Sequence, residues 1–284
     1  MRGGLRVGLR IEEILVSGFL YLSVLVIFGG LGAIFGYILY HGLGHVNLEF
    51  LLSNPKDMGR EGGILPAIVG TGALVGVALA AAAPTGILAA VFLTEYARPG
   101  RFVRLIHYGV NTLAGVPSIV FGLFGFIFFV IFLGFGWSIL SGGLTLACMI
   151  LPYTIKATEE AIKAVPRDYR EASLSLGATR WQTVARVVLP VAAPGILTGV
   201  LLALGKAAGE TAAILYTAGS SLHAPTSIMD PTRSLPIHLF ILVSEGISFE
   251  KAYATASVLI ILVLMVNLLA IYLMRTMVAK QRGK

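Results

Sequence analysis

The sequence predicts an all-α integral membrane protein with six transmembrane helices. Three observations carry this expectation. The 284 residues are 57% hydrophobic and only 12% charged, whereas a soluble domain holds about 25% charged residues. Mean hydropathy is +0.88. A span takes about 20 mostly apolar residues, and such runs recur roughly over 14–40, 64–93, 108–133, 138–157, 191–220 and 252–275.

The first run follows a basic start, MRGGLRVGLR. It is longer than a signal-peptide core and lacks a small-residue cleavage site, so it is expected to stay in place as a span. Charge then sets the orientation. Of the 21 Lys and Arg residues, sixteen fall at the start, in the second and fourth loops and in the tail. Four lie in the opposite loops (Lys56, Arg60, Arg233 and Lys251), and Lys206 remains inside a span. By the positive-inside rule both termini are cytoplasmic, and an even number of spans agrees. The basic balance is therefore a topology signal and not a nucleic-acid surface. Cys148 is the single cysteine, which excludes an intrachain disulfide and a thiol metal cluster. Small residues recur at four-residue spacing, as Gly32/Gly36, Gly72/Gly76, Gly195/Gly199 and Gly205/Gly209. That spacing predicts close helix packing. Pro84, Pro117 and Pro194 lie in or near spans and predict kinks.

The loop over 158–190 carries its own pattern. Pro166 suits the first turn of a helix, and Tyr169, Ala172, Ser173 and Leu176 follow on one face. Gly177 caps or breaks it. Trp181, Val184, Ala185 and Val188 then share a second helical face, and Pro190 marks the return to the membrane. The pattern predicts two short amphipathic helices joined at a glycine. By pattern alone, a knob on the cytoplasmic face and a helix lying on lipid stand equally open. The stretch EASLSLGATRWQTVARVVLP resembles the loop of ABC importer permeases. That loop reads Glu-Ala-Ala, three residues, Gly, nine residues, an aliphatic, one residue, Leu-Pro. Glu171, Ala172, Gly177, Val187 and Leu189-Pro190 keep the spacing, with Ser173 in place of the second Ala. The resemblance implies the type I importer permease fold, with a cytoplasmic coupling helix that docks on an ATPase. It implies a coupling role for Glu171, Ala172 and Gly177.

No engine is expected on this chain. A phosphate-cradling loop needs G-x4-G-K-[ST]. The nearest stretch, Gly199 to Lys206, has five residues between its glycines, and Ala207 follows the lysine. No zinc-protease motif, nucleophile elbow or acidic cluster appears, and the five histidines are scattered. The chain is expected to be no enzyme and to hold no cofactor. ATP and Mg would be bound by a partner ATPase.

Residues 205–219 read GKAAGETAAILYTAG. A charge at the bilayer centre costs about 2.5–3.5 kcal/mol, so Lys206 and Glu210 require an account. At i and i+4 on one helix they share a face. One reading is a buried ion pair that fixes packing, and the other is a polar station on a transport path. The stretch is similar to the phosphate-specific (Pst) permeases of the PstA type. So are GVPSIVFGLFG (115–125), LPAIVGT (65–71), GILAAVFLTEYA (86–97) and SLPIHLFILVSEG (234–246). The resemblance covers most of a transport domain over 64–275. It leaves out 1–63 (tail, first span and extracytoplasmic loop) and the tail at 276–284. Lys206 stands where members often carry Arg, and Ala213 where they carry Pro.

The resemblance implies an importer of inorganic phosphate. Lys206 would offset negative charge and Glu210 would accept from the phosphate hydroxyl, which sulfate lacks, so the pair would select as well as attract. Thr211, Asn111, Thr112 and Ser118 would add contacts on the path, or make hydrogen bonds between helices. The implied partners are a second homologous permease (PstC type), an ATPase dimer (PstB type), an extracytoplasmic phosphate-binding protein (PstS type) and membrane lipid. Three alternatives stay open: a permease for molybdate, tungstate, sulfate or phosphonate, a proton-coupled secondary transporter with Glu210 as carrier, and a non-transporting scaffold or sensor partner.

Overall fold

Long apolar helices joined by short connections make up most of the chain. The computed structural model describes residues 2–282. In order they are α1 (Arg2–Gly42), α2 (Leu65–Tyr96), α3 (Arg101–Ala114), α4 (Ser118–Phe132), α5 (Ile139–Lys163), α6 (Arg167–Ser175), α7 (Arg180–Ala208), α8 (Leu235–Ser244) and α9 (Phe249–Arg282). Among the described residues, five helices are long and apolar enough to cross a membrane. The count reaches six when α3 and α4 form one broken span. The C-terminal tail expected over 276–284 continues α9 as far as it is described, and Gly283 and Lys284 lie outside the described residues.

The core forms where α2, α5 and α7 meet. Leu74, Ala78, Ala82, Leu146, Ile150, Ala203 and Ala207 fill it, with Ile214 and Ile237 closing one end. Small residues bring the backbones together. A side chain at Gly195 or Gly199 would meet Ala161 or Ala157 of α5, as the four-residue spacing predicts. Gly32, Gly36, Gly72 and Gly76 differ, because nothing in this chain lies within 4 Å of their would-be Cβ atoms. α1 approaches α9 at Gly42, beside Tyr253 and Ser257, and the Tyr37 ring meets Tyr253 edge-on at 5.8 Å.

Four sequence expectations change. The third span, expected as one helix over 108–133, breaks at 115–117 and turns by 102°. Pro117 has no N–H to continue the ladder and disfavours helical backbone at Val116. The fifth span, expected over 191–220, ends at Ala208 and gives way to turns over 209–219. The second loop helix is not separate. It starts at Arg180 under a Thr179–Gln182 capping box and runs on into α7. Wide turns over Val184–Val188 lead into Pro190. Lys156, one of the cations assigned to the fourth loop although it falls at the edge of the expected 138–157 span, lies inside α5, which extends to Lys163.

The segment after α7 covers one end of the bundle. Its carbonyls at Thr217, Asp230 and Ile228 accept from Ser138, Ile139 and Leu140, the first N–H groups of α5, which have no partners inside the helix. Asp230 accepts from the Thr226 amide and hydroxyl and the Ser227 amide at 2.8–2.9 Å. The Thr226 amide first, then its hydroxyl, hold the Asp230 carboxyl below the usual range. Arg233 is buried, and its Nε donates to the Ser220 carbonyl.

Candidate functional site: a lysine cavity and a coupling loop

Tyr153 lies near the middle of α5. At 1.5 Å per residue it is about 21 Å from the helix start and about 15 Å from its end. Its hydroxyl donates to the Ala114 carbonyl at 2.8 Å. Ala114 is the last residue of α3, where carbonyls have no partner further along the helix. The bend in the third span is thus tied to the centre of α5.

Lys206, in the last turn of α7, lies over the same tyrosine, with Nζ 4.7 Å from the ring centroid. A cation over an aromatic face is worth about 0.5–2 kcal/mol. Lys206 and Tyr153 line a cavity of about 260 Å³ with Lys156, Ala157, Gly199, Leu202 and Ala203. Lys206 and Lys156 therefore share one space. Among the described residues neither forms an ion pair with a carboxylate.

The pairing read from i and i+4 spacing is not formed. α7 stops at Ala208, so Glu210 has left the helix. Its Oε1 accepts instead from the Ala212 and Ala213 amides at 3.1 and 3.4 Å. The carboxylate holds the turns that replace the last part of the span. A side chain at Gly122 of α4 would strike the carbonyls of Ala212 and Ala213, so this turn and the second half of the broken span pack backbone to backbone.

The other predicted path residues fall elsewhere. Thr211 lines a separate cavity of about 420 Å³ with Gly209, Pro236, Leu239, Phe240, Val243, Ser244 and Leu259. Asn111 is exposed on α3, beside Thr112, whose hydroxyl donates to its own helix at Tyr108. Ser118 is half-buried at the start of α4. None of these four lines the lysine cavity.

The three residues expected to couple to an ATPase lie in and just after the short helix α6. Glu171 and Ala172 are exposed on α6. Gly177 has φ +83°, which an L side chain rarely adopts. The Ala178 and Gly177 amides donate back to Ser173 and Leu174, the bonding that closes a helix at a left-handed glycine. Nothing lies within 4 Å of a would-be Cβ at Gly177, so the bend faces outward.

Sequence reasoning missed what holds this loop. Arg170 on α6 reaches Glu95 at the end of α2, with Nη2–Oε1 at 2.7 Å and Nε–Oε1 at 3.1 Å. The same guanidinium donates to the carbonyls of Val165 at 2.8 Å and Ile162 at 3.0 Å. The two side chains are only 20% and 11% exposed. A lone acid at the end of a span beside a basic loop was a signal for some pair. Nothing in the sequence selected Arg170 from its cationic neighbours.

Helices of membrane-spanning length, a bent third span and an outward-facing glycine-capped loop are the frame in which comparison with known proteins places a transport permease. The chain belongs to the family of binding-protein-dependent transport system inner membrane components, which it matches over residues 82–283. It is 34% identical over 288 residues to the probable ABC transporter permease protein YqgI of Bacillus subtilis, covering 96% of this chain and 98% of that one. It is 39% identical over 212 residues to the phosphate transport system permease protein PstA 1 of Mycobacterium tuberculosis, covering 74% of this chain and 69% of that one. Among solved structures, a permease chain of a bacterial alginate ABC importer matches with TM-score 0.68 at 15% identity, covering 93% of this chain and 98% of that one. A chain of the MetNI methionine ABC transporter matches with TM-score 0.63 at 21% identity, covering 75% and 95%. The fold is that of the type I importer permeases, and the protein is a multi-pass component of the inner membrane.

Proposed function

We propose that this chain is the permease subunit of an ATP-driven importer that carries inorganic phosphate across the cytoplasmic membrane. The observation that carries the reading is the cavity that Lys156 and Lys206 both line, neither paired with a carboxylate among the described residues. Two cations in an apolar-walled space attract a multiply charged anion. Their ammonium groups are point charges without the guanidinium fork, so they hold it weakly enough to release it, as a transit site requires. Several relatives are phosphate transport permeases by name, which supports phosphate over other oxyanions. Glu210 keeps Oε2 outside its two backbone bonds. This oxygen would accept from the phosphate hydroxyl as the anion passes the end of α7. Thr211, Asn111 and Ser118 would act outside this cavity.

In this reading the termini are cytoplasmic, and α6 with Glu171, Ala172 and Gly177 receives the stroke of a separate ATPase dimer. A second homologous permease completes the pathway, and an extracytoplasmic phosphate-binding protein delivers the ion. ATP and Mg stay with the ATPase. The test is radiolabelled phosphate uptake at low external phosphate, in the native host with and without this chain. Lys156→Ala, Lys206→Ala and Glu210→Ala variants are added at matched membrane levels. Uptake lost in the deletion and in both lysine variants, competed by arsenate and not by sulfate, is the expected result. Competition by molybdate or sulfate would reassign the cargo. Uptake that persists without ATP and collapses with the proton gradient would reassign the class.

A further inference from the structure

A cavity of about 470 Å³ lies between α6, the start of α7 and the adjoining ends of α2 and α5. Its charged lining is Glu95, Lys163, Arg167, Arg170, Glu171 and Arg180. Four cations face two carboxylates. Glu95 is taken up by Arg170, and Lys163 leans on Glu159 and Glu160 at 3.5 and 3.3 Å. Arg167 and Arg180 form no ion pair among the described residues. Arg180 lies over the Tyr96 ring at 5.6 Å, which orients it, and its guanidinium makes no ion pair among the described residues. α6 begins at Arg167 without a side-chain cap, so the positive end of its dipole adds to the same corner.

From this we infer that the cavity is a binding site for a phosphate group, held by Arg167 and Arg180 beneath the coupling helix. Planar guanidinium forks match phosphate oxygens bidentately. Glu171 shapes the choice of anion. A bare anion beside it is repelled, whereas a phosphate that carries a hydroxyl, or has one next to it, donates to the carboxylate. Orthophosphate and the phosphatidylglycerol headgroup both meet this requirement, and sulfate does not. The bound group bridges the start of α6 (Arg167) to the start of α7 (Arg180). It therefore fixes the angle of the coupling helix against the membrane ends. The site shares no lining residue with the Lys206 cavity, and it stands whichever anion crosses the membrane.

The test uses the intact transporter with its ATPase subunits and two probes. Native mass spectrometry counts phosphatidylglycerol retained from nanodiscs, and equilibrium dialysis measures radiolabelled orthophosphate in detergent. One probe is expected to bind, to resist excess sulfate, and to lose affinity at least about tenfold in R167Q/R180Q. R98Q/R101Q, on exposed arginines just before and at the start of α3, is expected to change nothing. Lipid retained without orthophosphate assigns a headgroup, and the reverse assigns the free ion. If the double variant does not assemble, Arg180→Lys decides, with affinity expected to fall although the charge stays. The inference is overturned if neither probe binds, if binding survives these substitutions, or if sulfate displaces it equally. It is overturned too if binding appears only once the ATPase is removed, which would give the cavity to an acidic side chain of that partner.

Discussion

Two acid–base pairs of this chain behave in opposite ways. Lys206 and Glu210 are four residues apart and do not meet, because the helix between them stops at Ala208. Glu95 and Arg170 are 75 residues apart and meet at 2.7 Å. The first pair depends on a local repeat that the backbone abandons. The second depends on where two helix ends arrive in space. Sequence spacing is a guide to contact only while the helix continues, and the run Gly-Glu-Thr-Ala after Ala208 does not continue it.

The contrast also separates structure from function. Arg170 and Glu95 use their charges on each other and on the carbonyls of Ile162 and Val165, so they build the loop. Among the described residues Lys206 has an aromatic face and a cavity but no carboxylate partner, which is the ground for proposing that its charge meets a passing anion. An unpaired intramembrane cation is costly to keep, and the cost makes sense where a ligand offsets it.

The sharpest way to break the contrast is at the formed pair. Arg170→Ala leaves Glu95 as a half-dry charge and removes the loop's anchor, a loss of up to about 3 kcal/mol. Thermal unfolding in detergent is expected to fall accordingly, with less of the chain in the membrane. Arg170→Lys should recover little, because one ammonium cannot reach Glu95 and two carbonyls together. At the unformed pair, Lys206→Ala is expected to lower uptake about tenfold with membrane level unchanged, and to cost no more stability than the about 0.5–2 kcal/mol of its contact with the Tyr153 ring. A large drop in stability there would instead make Lys206 a packing residue. Double-mutant cycles compare the two directly. The coupling energy for Glu95 and Arg170 should exceed about 1 kcal/mol, and that for Lys206 and Glu210 should lie within about 0.5 kcal/mol of zero. Smaller effects come from the neighbours. Tyr153→Phe keeps the ring under Lys206 and loses the bond to Ala114, so it should cost about 1 kcal/mol of stability while uptake falls less than in Lys206→Ala. Glu210→Ala removes an acceptor for two turn amides, about 0.5–1 kcal/mol. Amide hydrogen exchange at Ala212 and Ala213 should quicken.

Much of the fold was legible in the chain. Six apolar runs, the loop spacing from Glu171 to Pro190, and the glycine that closes α6 all act through local rules of length, periodicity and backbone freedom. The site was legible in part. Lys206 was visible as a charge in an apolar run, but Lys156 was hidden, because a lysine near a predicted helix end reads as interfacial until the helix is seen to extend to Lys163. Thr211, Asn111 and Ser118 looked like path residues by position, and the packing sends them to other surfaces.

The sequence by itself determined the membrane class, the number of apolar runs and the coupling-loop helix, since hydropathy, proline and glycine act on their own neighbourhood. Tertiary structure decided that Lys156 shares a cavity with Lys206 and Tyr153, and that Arg170 clasps Glu95. Those outcomes depend on which orphan carbonyl, ring or carboxylate lies within about 3–5 Å once the helices have packed, and no linear pattern fixes such distances between segments far apart in the chain.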